Sequence, residues 1–249
     1  MHPIITSNKP LSTREWVRET RFGRWFLATE IWRKYVLAQA VADCKRVVGN
    51  RLAPGAVMID AGCGVGLSMP LIEEFFQPDE IIGIDIDRGT LEIAAQNPYP
   101  FKANIKLLHA SAQYLDLPSN SVDAIFCHQL IHHVGEQKAV LDELLRILKP
   151  GGFLLSSESC QSFIKLWWVK LFFRHPDMVQ KSADKYVALI RASGYEVAEK
   201  DIYTYTPWWS LVDFGLRREW GLGGRTPEVT ELITIAQKPM QEKAVSVAR

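Results

Sequence analysis

Nothing in the cysteine spacing of this sequence suggests a disulfide framework or a zinc ribbon. Cys44, Cys63, Cys127 and Cys160 stand far apart, form no CxxC pair and lie in apolar or glycine-rich surroundings. Such surroundings suit reduced, buried thiols, and a cytoplasmic protein is expected. A dominant sign of charge is missing too: 29 Lys+Arg against 28 Asp+Glu leave a formal net charge of +1. No global field therefore draws the chain to polyanions, and nucleic acid is not an expected partner. No apolar run reaches the ~20 residues that a spanning helix needs. The opening MHPIITSNKP lacks the apolar stretch of a signal peptide. Internal repeats, low-complexity tracts and linkers are also absent. What is present is 249 residues, 47% hydrophobic and 23% charged, enough for one well-buried globular domain.

The first fifty residues read as a helical cap. Ser12 or Thr13, followed by Glu15 and Glu19, can start a short amphipathic segment that Gly23 interrupts. Apolar residues from Trp25 to Val48 then recur at helical spacing up to Gly49 and Asn50. From Ala56 the pattern alternates. Short apolar strands are expected at Val57 to Asp60, Ile81 to Ile86, Ile105 to Leu108, Val122 to Cys127 and from Phe153 onward. Between them come helices at Leu67 to Phe76, at Gly89 to Gln96 capped by Asp87, and along the stripe Val140, Leu141, Leu144, Leu145 and Leu148. Strands apolar on both faces, separated by amphipathic helices, call for an α/β fold whose parallel sheet is covered on both sides. The last third departs from this rhythm. Phe163 to Phe173 is apolar apart from Lys165 and Lys170, a helix runs towards Ala192, and Gly194 to Tyr205 and Glu228 to Ile235 look like two more strands. The connection Pro207 to Thr226 is aromatic and rich in glycine (Gly215, Gly221, Gly223, Gly224), and the tail at 240–249 is expected to be mobile.

Asp60-Ala61-Gly62-Cys63-Gly64-Val65-Gly66 sits where the first of these strands hands over to a helix. Glycines there let the backbone turn tightly and approach a ligand, while the helix presents free N–H groups and its positive dipole end. The same G-x-G also occurs as a tight turn without a ligand. Asp85 ends the next strand, which in a parallel sheet brings its carboxylate to the same edge, where it can accept both hydroxyls of a ribose. A nicotinamide dinucleotide site would carry G-x-G-x-x-G, but here the third glycine, Gly66, comes one residue early.

VMIDAGCGVG, IIGIDID, SVDAIFCHQLIHHV and LDELLRILKPGGFLL, in this order and spacing, resemble four motifs of the class I S-adenosylmethionine-dependent methyltransferases over about residues 50–160. The resemblance implies a Rossmann-like, seven-stranded, mostly parallel sheet with the last strand antiparallel and helices on both faces. It divides the chain into an N-terminal helical cap at 1–50 and a methyltransferase domain at 51–239 with lid insertions near 159–175 and 206–226. It also implies that Asp60 and the loop residues Gly62, Cys63, Gly64 and Gly66 hold the methionine portion of S-adenosyl-L-methionine. Asp85 would take the ribose and Ile86 would pack on adenine. The family's acidic residue after the third strand is replaced by Ser111, with Ala112 and Gln113 next, so the adenine contact would pass to the hydroxyl or to backbone. The implied activity is methyl transfer to a small or medium-sized, hydrophobic acceptor. An inactive cofactor-binding module and a dinucleotide-dependent reductase are the alternatives.

His128 ends the Val122 to Cys127 strand, at the edge that would face the methyl group. An imidazole of near-neutral pKa there could act as a general base, or it could shape the pocket and hold the cofactor. His132 and His133 are adjacent, are expected to point apart, and read as framework, with His132 facing the pocket. With no HxxxH, HxH or acidic cluster at ligand spacing, no metal is expected. Trp16, Trp25, Trp32, Trp167, Trp168, Trp208, Trp209 and Trp220 all lie outside the cofactor motifs. Trp25, Trp32, Trp208 and Trp209 are the expected acceptor-pocket residues, closing over an apolar or flat substrate. The apolar run 163–173 can serve as a lid, a homodimer surface or a peripheral contact with lipid.

Overall fold

Met58, Ile59, Ile81, Ile84, Ile125 and Phe126 are sealed from solvent, as residues of strands apolar on both faces must be. The computed structural model describes residues 2–8, 11, 17, 19–176, 179–211 and 228–240. Among these, eight strands form one sheet: β1 (Ile4–Thr6), β2 (Val57–Ala61), β3 (Glu80–Asp85), β4 (Asn104–His109), β5 (Val122–His128), β6 (Leu148–Ser159), β7 (Ile202–Tyr205) and β8 (Glu231–Gln237). Their order is β1-β4-β3-β2-β5-β6-β8-β7. Strands β1 to β6 pair in parallel, and β8 runs antiparallel between β6 and β7. Helices Ala38–Val48, Ser68–Phe76 and Arg88–Ala94 cover one face, and Gln137–Ile147 and Ala183–Ala192 the other. Strand order reverses between β2 and β5, and this opens a crevice at their carboxyl ends.

Asp87 caps the helix after β3 as expected, its Oδ1 accepting the Gly89 N–H at 2.9 Å. All four cysteines are free and buried. No helix among the described residues is long and apolar enough to cross a membrane.

Three features differ from the sequence expectation. An eighth strand, β1, pairs with β4 in a stretch expected to be helical; three residues are too few for a periodicity to show. Gly23 does not interrupt its helix but lies buried within Arg21–Leu27, which is capped by Thr20, whose Oγ1 accepts the Gly23 N–H at 2.8 Å. The apolar run at 163–173 divides into two short helices, Gln161–Ile164 and Trp167–Phe172. The helix start expected at Ser12 or Thr13, Trp16, Trp220, the connection beyond Leu211 and the tail beyond Met240 lie outside the described residues.

Between Trp32 and Ala38 the N-terminal helix widens into a π-helical turn, Arg33–Leu37. The helix that follows buries Val41, Cys44 and Val48 in the same core cluster as Met58 and Ile81. Its far end is tied down by Arg51, which pairs with Asp201 at 2.5 Å.

Candidate active site

Past β2 the chain bends across the end of β3, the N–H groups of Gly62 and Cys63 both donating to the Ile84 carbonyl at 2.8 and 3.0 Å. One oxygen of Asp85 accepts the Gly64 N–H at 2.8 Å and the other accepts the Asp87 N–H at 2.8 Å. Burial raises the Asp85 carboxyl above its ordinary range, against the pull of those two bonds. Asp60, almost wholly buried, accepts the hydroxyl of Ser68 at the start of the next helix. Burial pushes its carboxyl up to about 7, the Ser68 bond opposing and the Asp85 charge reinforcing the shift. Two carboxyl groups and a tight glycine turn, its own N–H groups already bonded to Ile84, Asp85 and Cys63, thus share one edge of the sheet.

A cavity of about 1070 Å³ opens over this edge. Asp60, Gly62, Cys63, Gly64, Asp85, Ile86, Ser111, Ala112 and His128 line it, and so do Trp32, His132, Trp208 and Trp209. Two expected residues do not. Gly66 is walled off: a Cβ there would stand 2.6 Å from Met69 Cε and 3.0 Å from Ala94 Cβ, so this glycine serves packing between helices. Trp25 turns outward, 62% exposed and packed beside Phe22 with ring centroids 5.6 Å apart. Seven residues apart on one continuous helix, the Trp25 and Trp32 rings would share a face. The helix Arg21–Leu27 ends at Ala28, however, and a new one, capped by Thr29, begins at Glu30, so Trp32, with Tyr35 and Val36 after it, reaches the cavity wall while Trp25 does not. Phe163, not singled out from sequence, holds the far wall by packing edge-on to Trp168 and Trp209, both at 5.4 Å.

A family model described as Methyltransferase domain matches residues 59–156, the span from β2 into β6. These residues are a class I S-adenosylmethionine-dependent methyltransferase domain. The chain is 34% identical over 115 residues to a probable S-adenosylmethionine-dependent methyltransferase of Mycolicibacterium smegmatis, covering 45% of this chain and 42% of that one. It is 29% identical over 144 residues to the demethylmenaquinone methyltransferase of Symbiobacterium thermophilum, covering 57% and 52%. Over 111 residues it is 29% identical to phosphoethanolamine N-methyltransferase 3 of Arabidopsis thaliana, covering 45% and 22%. The chain thus spans between 22% and 52% of the length of these relatives. Two solved structures show the fold. A chain from the complex of the Haloferax volcanii Trm112 methyltransferase activator with a methyltransferase superposes with a TM-score of 0.65 at 18% identity, covering 87% of this chain and 93% of that one. The cyclase SpnF superposes with a TM-score of 0.59 at 20% identity, covering 80% and 82%.

S-adenosylmethionine is the cofactor of this family, and the polar end of the cavity fits it. Gly64 lines the cavity and has no atom within 4 Å of where a Cβ would stand, so its backbone is bare towards a ligand. His128 Nε2 is buried without a hydrogen-bond partner. The expected near-neutral imidazole is not what this methyltransferase domain holds: burial, and then His132, push His128 down to about 3. It stays uncharged across the physiological range.

Beyond the matched span the methyltransferase fold carries groups that sequence reasoning missed. Glu158, near the end of β6 and 1% exposed, accepts the N–H groups of Leu130, Ile131 and His132 and the Nδ1 of His132, the last at 2.7 Å. This turn also corrects the reading of the adjacent histidines. His132 and His133 do not point apart: their ring centroids are 4.3 Å from one another, and His175 joins them at 5.3 and 4.8 Å. A 3-10 turn at Ile131–His133 folds both rings to one side. Only the lone acid in the apolar stretch LLSSESC could have signalled the arrangement.

Proposed function

We propose that this chain transfers a methyl group from S-adenosylmethionine to a small or medium-sized, hydrophobic acceptor, at oxygen or carbon. The observation that carries the reading is a single cavity joining the Asp60–Asp85 edge to an aromatic chamber. At about 1070 Å³ it reaches the upper end of the roughly 300–1,000 Å³ of a drug-sized ligand site, which leaves room for cofactor and acceptor together. Asp85 would accept the ribose hydroxyls on its remaining lone pairs, Ile86 would pack on adenine, and Ser111 would meet its edge. Asp60 and the bare backbone at Gly64, which lets a ligand approach the turn closely, would take the methionine end. When bound, the cofactor supplies a methyl group on a cationic sulfonium. The protein's work is then to orient the acceptor in line and to exclude water. Among the relatives, one is named for a menaquinone precursor and another for a phosphorylated amine. Trp32, Trp209 and Phe163 on the cavity wall favour an aromatic ring of the quinone or natural-product kind. We assign His128 to hydrogen-bonding the acceptor as a neutral imidazole, because a cation beside it would depress its basicity further.

Calorimetry tests the reading. S-adenosylhomocysteine should bind, NADPH should give no heat, and Asp85→Ala should weaken binding about 10- to 150-fold, the ~1.5–3 kcal/mol of hydrogen bonds to a charged group. His128→Ala should leave that affinity within about threefold and raise the acceptor KM more than it lowers kcat. NADPH binding together with silence towards S-adenosylhomocysteine would overturn the assignment in favour of a reductase.

The raised Asp60 carboxyl makes cofactor binding pH-dependent. A sulfonium nearby favours the ionised form, so binding below pH 7 should expel a proton. Affinity for S-adenosylmethionine should then rise up to tenfold per pH unit towards about 7 and level off above it. The uncharged thioether of S-adenosylhomocysteine should show less. Free-protein stability has the opposite sign. A carboxyl raised from about 3.9 to about 7 stabilises the fold most at low pH, and that contribution is lost as pH rises through 7. Calorimetry in buffers of different ionisation enthalpy reads the proton directly. Equal affinities at pH 6 and 8 would remove Asp60 from the cationic end of the site.

A further inference from the structure

We propose that His132, His133 and His175, with Glu19, form a binding site for a divalent transition-metal ion on the wall of this cavity. One ligand atom from each of the three imidazoles lies within 4.8 Å of the others. The residues come from separate parts of the chain. Glu19 precedes the helix Arg21–Leu27, His132 and His133 belong to the turn after β5, and His175 follows the helix Trp167–Phe172. All four line the cavity that holds Asp60 and His128.

Three further observations set this cluster apart from an aromatic stack. The first is the fixed tautomer of His132. Its Nδ1 donates to Glu158 at 2.7 Å, which leaves the Nε2 lone pair free, and a buried carboxylate behind a histidine is the usual support of a metal-ligating imidazole. The second is Glu19. Its Oε2 accepts the N–H groups of Thr20 and Arg174 at 3.2 and 3.1 Å, whereas its Oε1 is buried without a hydrogen-bond partner and lies 3.9 Å from His133 Nε2. A bare carboxylate oxygen out of water is costly, and a cation between it and the imidazoles removes that cost. The third is Gly23, where a Cβ would come within 2.6 Å of Glu19 Oε2. The helix lacks a side chain at the place where the carboxylate needs room.

Three imidazoles and one carboxylate suit Zn²⁺, Co²⁺, Ni²⁺ or Fe²⁺ over Mg²⁺ and Ca²⁺, which prefer all-oxygen shells. A tetrahedral ion about 2.05 Å from each nitrogen needs them roughly 3.3 Å apart, so loading draws the rings together by side-chain movement alone. Expansion of this four-ligand shell to five-coordination would open a position towards the cavity for an anionic oxygen of the acceptor, such as a phenolate. That last role rests on the methyl-transfer reading; metal binding itself does not.

The test uses the full chain, stripped with a chelator and titrated with Co²⁺ and Zn²⁺ in the absence of S-adenosylmethionine. The expected result is one ion per chain, with visible Co²⁺ bands of a nitrogen and oxygen shell that Zn²⁺ displaces. His175→Ala should abolish the bands, and the near-isosteric Glu19→Gln should weaken binding about 10- to 100-fold, both with S-adenosylhomocysteine binding kept as evidence of a folded protein. No stoichiometric binding by the unaltered chain, or binding undiminished in both variants, would overturn the proposal. If S-adenosylhomocysteine fails to bind the unaltered chain while the ion binds, the methyl-transfer reading falls and the metal site stands.

Discussion

Glu158→Ala should cost about 3–5 kcal/mol of folding stability, the loss typical of stripping one partner from a buried charged network. Its two oxygens close the turn after β5, accepting three backbone N–H groups and one imidazole N–H. That turn begins at Gln129, held at a left-handed φ of 55°, where the chain leaves the sheet after a last bond from the Gln129 N–H to the Ser157 carbonyl of β6 at 2.8 Å. With the carboxylate gone, four buried donors lose their acceptor at roughly 1–3 kcal/mol apiece before relaxation. Urea unfolding followed by two spectroscopic probes would read the change as a lower midpoint at constant slope. A loss below about 1 kcal/mol would mean that water reaches the turn and replaces the carboxylate.

The loop glycines should separate into two kinds of defect. Gly66→Ala places a methyl group against Met69 Cε and Ala94 Cβ at a φ of +80°. Met69 and Ala94 are both fully buried and have nowhere to retreat. Left-handed strain of about 1–2 kcal/mol and overpacking of about 1–3 kcal/mol should lower the melting temperature sharply. Gly64→Ala meets no atom within 4 Å at a φ of +52°, so it should cost little more than the strain while its methyl group occupies the cavity edge. Calorimetry with S-adenosylhomocysteine should therefore show the larger binding loss for Gly64→Ala, and thermal melts the larger stability loss for Gly66→Ala. Equal stability losses at the two positions would contradict the packing role of Gly66.

The contrast shows where the sequence could be read and where it could not. Asp60, the loop and Asp85 were legible because a parallel strand, a tight turn and a helix start leave their marks within a few residues of each other. The Asp87 cap was legible for the same reason. Trp25 and Trp32 looked equivalent, seven residues apart on what read as one helix, and only the break at Ala28 and Thr29 sends one outward and the other to the cavity. Glu158 bonds backbone 26–28 residues away, and His175 meets His133 across more than forty positions of sequence. Contacts of that separation are set by how the sheet and its flanking segments pack, and single-residue patterns do not encode them. Gly66 had a true structural reason for being glycine, but from sequence a close helix contact and a close ligand contact look alike.

The short strand β1 has a bearing on how this sheet meets other chains. It is held by its pairing to Leu107, Leu108 and His109, and by hydrogen bonds from His2 to Ala95 and from Ser7 to His109. Without it, β4 would present six residues of unpaired backbone, a template long enough for another strand to add to. With it, Leu107 to His109 are paired, and the open edge is split into the three residues of β1 and the three of β4 left beside it, Asn104 to Lys106, each too short to hold a foreign strand in register. A segment that adds only Ile4 to the core thus acts as an edge guard, with Pro3 just before it and the half-buried Lys106 on the half of β4 it leaves open, two residue types by which exposed strands discourage self-association.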